Sequence, residues 1–128
     1  PNKYEVYRSL FNKTASAITL AEAREHGKAL AAQTRRPVII TLEKEGALAC
    51  TSTKTVHVPG ITVTGEIDAV GAGDSMASAT TAALCCGVSL EEAVFMGNLV
   101  ASITIQKLGT TGTATPTEIR RQNAAIQQ

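Results

Sequence analysis

The order of apolar and polar positions predicts a helix and then strands early in the chain. Residues 20–34 hold good helix formers with apolar side chains near helical spacing, and Pro37 ends this helix. Short β-branched or alternating runs predict three strands, at residues 38–42, 47–50 and 55–58. A turn at residues 43–46 should join the first two strands.

The second half of the chain is predicted to be mainly helical. Gly87 is favoured just after a helix end, and Ser89 with Glu92 has the spacing of a capping box. Three helices are therefore expected: about 73–86, about 90–106, and a short one from Pro116. A helix and three strands followed by paired helices indicate a layered α/β domain.

Composition limits the classes of protein and partner. The 128 residues suffice for one domain, and 44% hydrophobic and 18% charged residues are typical of globular proteins. A net charge of +1 and only 3% aromatic residues disfavour nucleic-acid partners. No apolar run approaches the roughly 20 residues of a membrane span. Residues 1–13 are too polar for a signal peptide.

The cysteines and histidines are not expected to carry chemistry. Cys50, Cys85 and Cys86 lack the spacing of a zinc site, and we expect them to be small buried apolar side chains. Such cysteine usage favours a reducing cytosol, so a cytoplasmic protein is expected. His26, on a polar helix, and His57, on a strand, are interpreted as nonfunctional.

The stretch DAVGAGDSMASA, residues 68–79, is the main candidate for chemistry. A dinucleotide-binding G-x-G-x-x-G fingerprint fails because Met76 occupies the third glycine position. Two interpretations remain: a turn with Asp74 near the positive end of a helix, or a cradle of backbone amides for a phosphate. Only the cradle gives the carboxylate a purpose, because Asp74 could take a proton from a hydroxyl that attacks phosphorus.

Residues 68–74, DAVGAGD, resemble the D-x-x-G-A-G-D signature of the ribokinase-like (PfkB) family of carbohydrate kinases. Other motifs similar to that family's follow its order: P-N-x-x-E at residues 1–5, a T-L-G-x-x-G nucleotide loop at 41–46, Asn98, and a K-x-G-type loop at 107–110. Glu43 departs from the family's usual small residue. The resemblance covers essentially the whole chain. It implies a ribokinase-like three-layer α/β/α fold, of which residues 1–128 are the C-terminal, ATP-binding and catalytic-base portion.

The resemblance implies ATP-dependent phosphorylation of a sugar or sugar-phosphate hydroxyl. Asp74 would be the catalytic base, and the backbone amides of Gly71, Ala72 and Gly73 would form the anion hole for the moving phosphoryl group. The residues implied to bind the nucleotide are Thr41, Gly46, Gly73 and Asn98.

Two metal sites are implied by the same resemblance. Asn2 and Glu5 would hold Mg²⁺ and phosphate through water, whereas the residues alone also fit exposed polar positions in a turn. Asp68 would bind a monovalent cation, with K⁺ as the candidate, although from the residues alone it could simply stabilise a loop. The carbonyl groups implied to join it are those of Val70, Thr104, Lys107 and Gly109.

The acceptor is less well indicated than the donor. The tail of the chain is most similar to the heptose-phosphate kinases of the family, which ranks heptose and hexose acceptors above adenosine. The expected partner is a small-molecule sugar or sugar phosphate, and the full-length protein could be a homodimer. Because the chain begins inside a motif and without Met, we expect a fragment of a larger kinase. The alternative function is a truncated chain that binds nucleotide but is not catalytically competent alone.

Overall fold

A computed structural model describes all residues, 1–128, as two compact units, residues 1–58 and 59–128. The first unit contains two helices, a single 3₁₀ turn at Glu43–Glu45 and three strands. Its regular elements are α1 (Lys3–Phe11), α2 (Leu20–Thr34), β1 (Val38–Thr41), β2 (Gly46–Cys50) and β3 (Thr55–Pro59). The second unit contains α3 (Ala72–Cys85), α4 (Leu90–Thr104) and α5 (Pro116–Ile126).

The sheet of the first unit has the strand order β1-β2-β3. Strands β1 and β2 are antiparallel, with Ile40 opposite Leu48 and Val38 opposite Cys50. All five residues of β2 are buried, so both faces of this central strand are covered. The strands predicted from the apolar runs are thus confirmed, and the expected turn between the first two is the 3₁₀ turn.

Helix α2 packs closely on one face of this sheet. Its buried residues include Ala23, Gly27 and Ala31, which lie at helical spacing on one side. A methyl group on Gly27 would overlap the sulfur of Cys50 and would lie 3.0 Å from Cδ1 of Ile40. The small residues on α2 therefore let the helix approach the sheet closely.

Helix α1 was not predicted by the apolar pattern. Val6 is its only buried residue, so it lacks the apolar stripe that identifies an amphipathic helix. The helix begins instead at a capping box, in which the Asn2 side chain accepts hydrogen bonds from the amides of Tyr4 and Glu5.

In the second unit, α3 and α4 pack against each other through a close approach at Gly97. A methyl group at Gly97 would overlap the hydroxyl of Thr80 and would lie 2.9 Å from Cγ of Met76. Helix α4 carries most of the core of this unit, including Val94, Leu99 and Ile103. Its start at the Ser89–Glu92 capping box confirms the prediction from the sequence.

The expectation of three buried cysteines is wrong for two of them. Cys50 is buried, and this burial raises the pKa of its thiol to about 11. Cys85 and Cys86 are exposed free thiols at the C-terminal end of α3, beyond its buried residues Met76 and Thr80. None of the helices is both long and apolar enough to cross a membrane.

Candidate active site and metal-ion residues

The glycine loop places an uncapped helix start at the DAVGAGD stretch. Gly71 is the residue before α3 and has a φ of 81°, a left-handed conformation that glycine adopts without steric cost. No side chain caps α3, whereas α1, α2, α4 and α5 all begin with complete capping boxes. The first-turn amides of α3 therefore have no side-chain acceptor, and they carry the positive end of the helix dipole.

Asp74 lies in the first turn of α3 and is exposed. The loop preceding it is closed by two backbone hydrogen bonds: the Ala72 amide donates to the Ala69 carbonyl at 3.1 Å, and the Ser75 amide donates to the Gly71 carbonyl at 2.9 Å. The Ala72 amide is therefore engaged with Ala69, whereas the Asp74 carboxylate is accessible to a ligand.

Asp68 ties this loop to the segment after α4. Its carboxylate accepts hydrogen bonds from the Val70 amide at 3.0 Å and from the Gly109 amide at 3.1 Å. The Asp68 amide in turn donates to the Ile105 carbonyl at 2.7 Å. The structure therefore brings together Asp68, Val70 and Gly109, three of the residues assigned to the cation. The carbonyl of Thr104, another of them, accepts the Lys107 amide at 3.0 Å.

Lys107 joins the end of α4 to the start of α5. Its ammonium group donates to the Thr113 carbonyl and lies 2.9 Å from Oε1 of Glu118. Glu118 is also the capping-box residue of α5 and accepts the amide and hydroxyl of Thr115 at 2.7 and 2.9 Å. Hydrogen bonds from Thr115 and then from Lys107 lower the pKa of Glu118 to about 2. The ion pair was not predicted from the sequence. The sequence shows the capping-box spacing of Thr115 and Glu118, but it gives no sign that Lys107 lies beside Glu118.

We expect Glu118 to make stability pH-dependent in acid. Its pKa in the folded state is depressed from 4.5 to about 2, so its contribution is complete above about pH 4.5 and is lost as pH falls toward 2. Urea unfolding at pH 7, 4 and 3 should show Glu118→Gln as less stable at pH 7, with a difference that narrows at lower pH. A difference that stays constant with pH would contradict this prediction.

The nucleotide turn predicted at residues 41–46 lies in the first unit. Thr41 ends β1 and donates its amide to the Pro1 carbonyl at 2.9 Å, and Gly46 is buried at the start of β2. Glu43 has a φ of 55°, a left-handed conformation that is unfavourable for a residue with a side chain. The position where the sequence departs from the small residue of the family is therefore one where glycine would fit best.

Replacing Glu43 by glycine should stabilise the protein. Relief of the left-handed conformation outweighs the added chain entropy of glycine, and we expect the free energy of unfolding to rise by about 0.5–1 kcal/mol. Glu43→Ala is the control, since it removes the same carboxylate but keeps Cβ. Denaturant melts in which both variants gain equally would assign the effect to the lost charge instead.

Asn2 and Glu5 are exposed and bonded to each other at the start of α1. The Asn2 amide donates to Oε2 of Glu5 at 2.8 Å, and both residues line an open hollow of about 220 Å³ together with Arg8 and Thr14. The capping box is thus a structural role for two residues that the sequence indicated either as holding Mg²⁺ and phosphate or as exposed polar positions in a turn. Glu5 uses one of its two carboxylate oxygens in this bond.

The remaining site residue of the sequence reasoning is Asn98. It is buried on α4, and its side-chain amide donates to the Pro59 carbonyl at 3.0 Å. Of the two histidines, His57 lies 2.7 Å from the Glu45 carbonyl through Nε2, and His26 packs in edge-type contacts against the rings of both Tyr7 and Phe11. These are structural contacts.

Comparison with known proteins decides the family. Residues 1–118 match the pfkB family carbohydrate kinase. The chain belongs to the pfkB family of carbohydrate kinases. Among pfkB relatives, the bifunctional protein HldE of Trichlorobacter lovleyi is 40% identical over 84 residues, which are 64% of this chain and 16% of HldE.

Solved structures confirm a ribokinase-like fold for this pfkB chain. Ribokinase from Thermotoga maritima has a TM-score of 0.79 at 22% identity, covering 95% of this chain and 39% of the enzyme. Phosphofructokinase-2 from Escherichia coli in complex with potassium has a TM-score of 0.81 at 26% identity, covering 100% of this chain and 40% of that enzyme. The chain thus spans well under half the length of these proteins.

Proposed function

We propose that residues 1–128 supply the ATP-binding and catalytic-base portion of a ribokinase-like kinase that phosphorylates a hydroxyl of a sugar or sugar phosphate. The observation that carries the proposal is the start of α3, where uncapped amides and the exposed Asp74 occupy one turn. Family membership supports sugar phosphorylation in general.

The proposed chemistry divides between the backbone and one side chain. Asp74 accepts the proton of the acceptor hydroxyl as its oxygen attacks the γ-phosphorus of ATP, and the bond from phosphorus to the bridging oxygen of ADP breaks. The amides of Gly71, Ala72 and Gly73 stabilise the charge on the transferring group. Because aspartate is a weak base toward an alcohol, its help comes late, when the hydroxyl proton has become acidic.

Residues for the donor and for metal ions are proposed on the family's motifs. Thr41, Gly46 and Asn98 are proposed to bind the nucleotide. Asn2 and Glu5 are proposed to orient Mg²⁺, which keeps several waters and needs few protein ligands. The single carboxylate oxygen that Glu5 uses in its capping bond leaves an oxygen for such a contact, so the residues fit the ion.

A K⁺ site around Asp68 is proposed as support for the glycine loop. Each carboxylate oxygen of Asp68 accepts one amide and retains lone pairs, and Val70 and Gly109 are already its neighbours. The solved complex of phosphofructokinase-2 with potassium is compatible with this assignment. The further carbonyl groups proposed for K⁺ are those of Thr104 and Lys107.

The cation proposal predicts a specific salt effect. Turnover of ATP by the natural polypeptide that contains this chain should be faster in KCl than in NaCl at equal ionic strength, because an ordered loop holds the amides in place. Equal rates in the two salts would remove the K⁺ assignment without touching the proposed base.

The proposed function is tested by a panel of acceptors. The natural polypeptide is incubated with ATP, Mg²⁺ and heptose phosphates, hexoses, hexose phosphates or adenosine, and ADP release and phosphorylated product are both measured. We expect product with a heptose or hexose derivative. Product with none of the sugars would overturn the proposal.

A second candidate is that residues 1–128 bind nucleotide without transferring phosphate on their own. The observation that favours it is the extent of the match, which is only 39% of ribokinase and 40% of phosphofructokinase-2. Calorimetry on the isolated 128-residue chain should then show ATP binding, while the acceptor panel shows no phosphorylated product.

A further inference from the structure

The loop between α4 and α5 contacts Gly71, the first residue of the proposed phosphate site. A methyl group placed on Gly71 would lie 2.6 Å from Cγ2 of Thr111, so the threonine side chain is in contact with the glycine backbone. Gly112 is equally close to the α4 end, since a methyl group there would lie 2.7 Å from the Thr104 carbonyl oxygen. The conformation of residues 109–113 therefore determines which atoms pack against Gly71.

Two polar ties hold this loop in place. Near its start, the Gly109 amide donates to Asp68 at 3.1 Å. Near its end, the Thr113 carbonyl accepts from the Lys107 ammonium group, which Glu118 holds at 2.9 Å. Thr111 lies between the two ties, so the position of its side chain against Gly71 depends on both.

The ion pair is partly exposed, but each of its side chains is also bonded to a backbone group. The side chains of Lys107 and Glu118 are 33% and 25% exposed, and Glu118 is held in turn by two hydrogen bonds from Thr115. Exposed ion pairs usually contribute little, but a pair that also binds backbone groups at both ends is ordered on each side.

We propose that Glu118, acting through Lys107, is a positioning residue for the phosphate-binding amides of Gly71, Ala72 and Gly73. The proposal rests on the proposed function of those amides. Glu118 contacts no reacting atom. It orients the Lys107 ammonium group, which holds the Thr113 carbonyl. The position of Thr113 in turn determines how Thr111 packs against Gly71.

The chain offers a matched control for this role. Glu92 is the capping-box glutamate of α4, as Glu118 is of α5, and it accepts the Ser89 amide at 2.8 Å. Hydrogen bonds from Ser89 lower the pKa of Glu92 as well, whereas at Glu118 the hydrogen bond from Lys107 also contributes to the lowering. Glutamine can replace glutamate in a capping box, so Glu→Gln at either position removes the charge and keeps the cap.

The experiment compares Glu118→Gln, Lys107→Met, the double variant and Glu92→Gln in the natural polypeptide. With the acceptor that the panel identifies, kcat and the KM for ATP are measured per folded molecule. We expect kcat to fall by about 10-fold in each variant of the pair, since small displacements of catalytic groups are costly, while KM changes less than 2-fold. The double variant should fall no further than either single one, and Glu92→Gln should keep the wild-type kcat.

The outcomes separate this proposal from the proposed function. An active wild-type protein whose Glu118→Gln and Lys107→Met variants retain kcat overturns the positioning role alone. The same holds if Glu92→Gln loses as much kcat as Glu118→Gln, because the effect would then be that of any capping glutamate. A wild-type protein that transfers no phosphate to any sugar overturns the proposed function, and the positioning role with it.

Discussion

Asp74→Asn is expected to reduce phosphate transfer by about 10²–10⁴-fold while leaving ATP affinity within about 2-fold. The asparagine keeps the size and hydrogen-bonding shape of the aspartate but cannot accept the hydroxyl proton. The side chain is exposed in the first turn of α3, so the substitution disturbs no packing. Steady-state transfer to the accepted sugar and calorimetric ATP binding on the same preparation measure the two quantities.

The control for this prediction is Glu66→Gln, which neutralises another exposed carboxylate two residues before Asp68. Glu66→Gln should leave transfer close to the wild-type rate. The loss expected in Asp74→Asn comes from the missing proton acceptor and not from a general change in local charge. If Asp74→Asn weakens ATP binding as much as it slows transfer, Asp74 is a donor-binding residue and not the base.

Gly71→Ala is expected to destabilise the protein and to disrupt the phosphate site together. A φ of 81° costs an alanine about 1–2 kcal/mol, and the contact of 2.6 Å with Thr111 adds about 1–3 kcal/mol of overpacking. We expect a loss of about 2–5 kcal/mol in the free energy of unfolding and a fall of about 10²-fold in transfer. Urea unfolding and the transfer assay report the two effects.

Two further variants test the reason for that loss. Gly73→Ala should be neutral or slightly stabilising, because nothing lies within 4 Å of a methyl group there and the residue is helical. Adding Thr111→Ser to Gly71→Ala removes the obstructing methyl group and should recover part of the stability, leaving the cost of the backbone conformation. A Gly73→Ala variant as unstable as Gly71→Ala would show that neither the left-handed φ of Gly71 nor its contact with Thr111 causes the loss.

Local sequence signals predicted most of the elements. The boundaries of α2, the start of α4 and all three strands follow from helix formers, one capping box and β-branched runs. The same reasoning missed α1 because Val6 is its only buried residue. The capping spacing of Asn2 and Glu5 was present in the sequence, but it was interpreted only as a kinase motif or a turn.

Contacts between distant residues could not be predicted from local patterns. Asp68 and Gly109 are 41 positions apart, and they were grouped only because a known family groups them. The Lys107–Glu118 pair follows from the path of the loop before α5, which no periodicity describes. Likewise, the exposure of Cys85 and Cys86 depends on which part of α3 is covered by other elements, and the apolar character of cysteine does not reveal this.

Four of the five α-helices begin with a cap that their own side chains provide, and α3 does not. If a phosphate group accepts the remaining amides of this turn, as proposed, its binding and the stability of the protein are thermodynamically linked. The substrate would then take the place that a capping side chain holds in the other four helices, and unfolding would require a higher temperature as its concentration rises above its Kd.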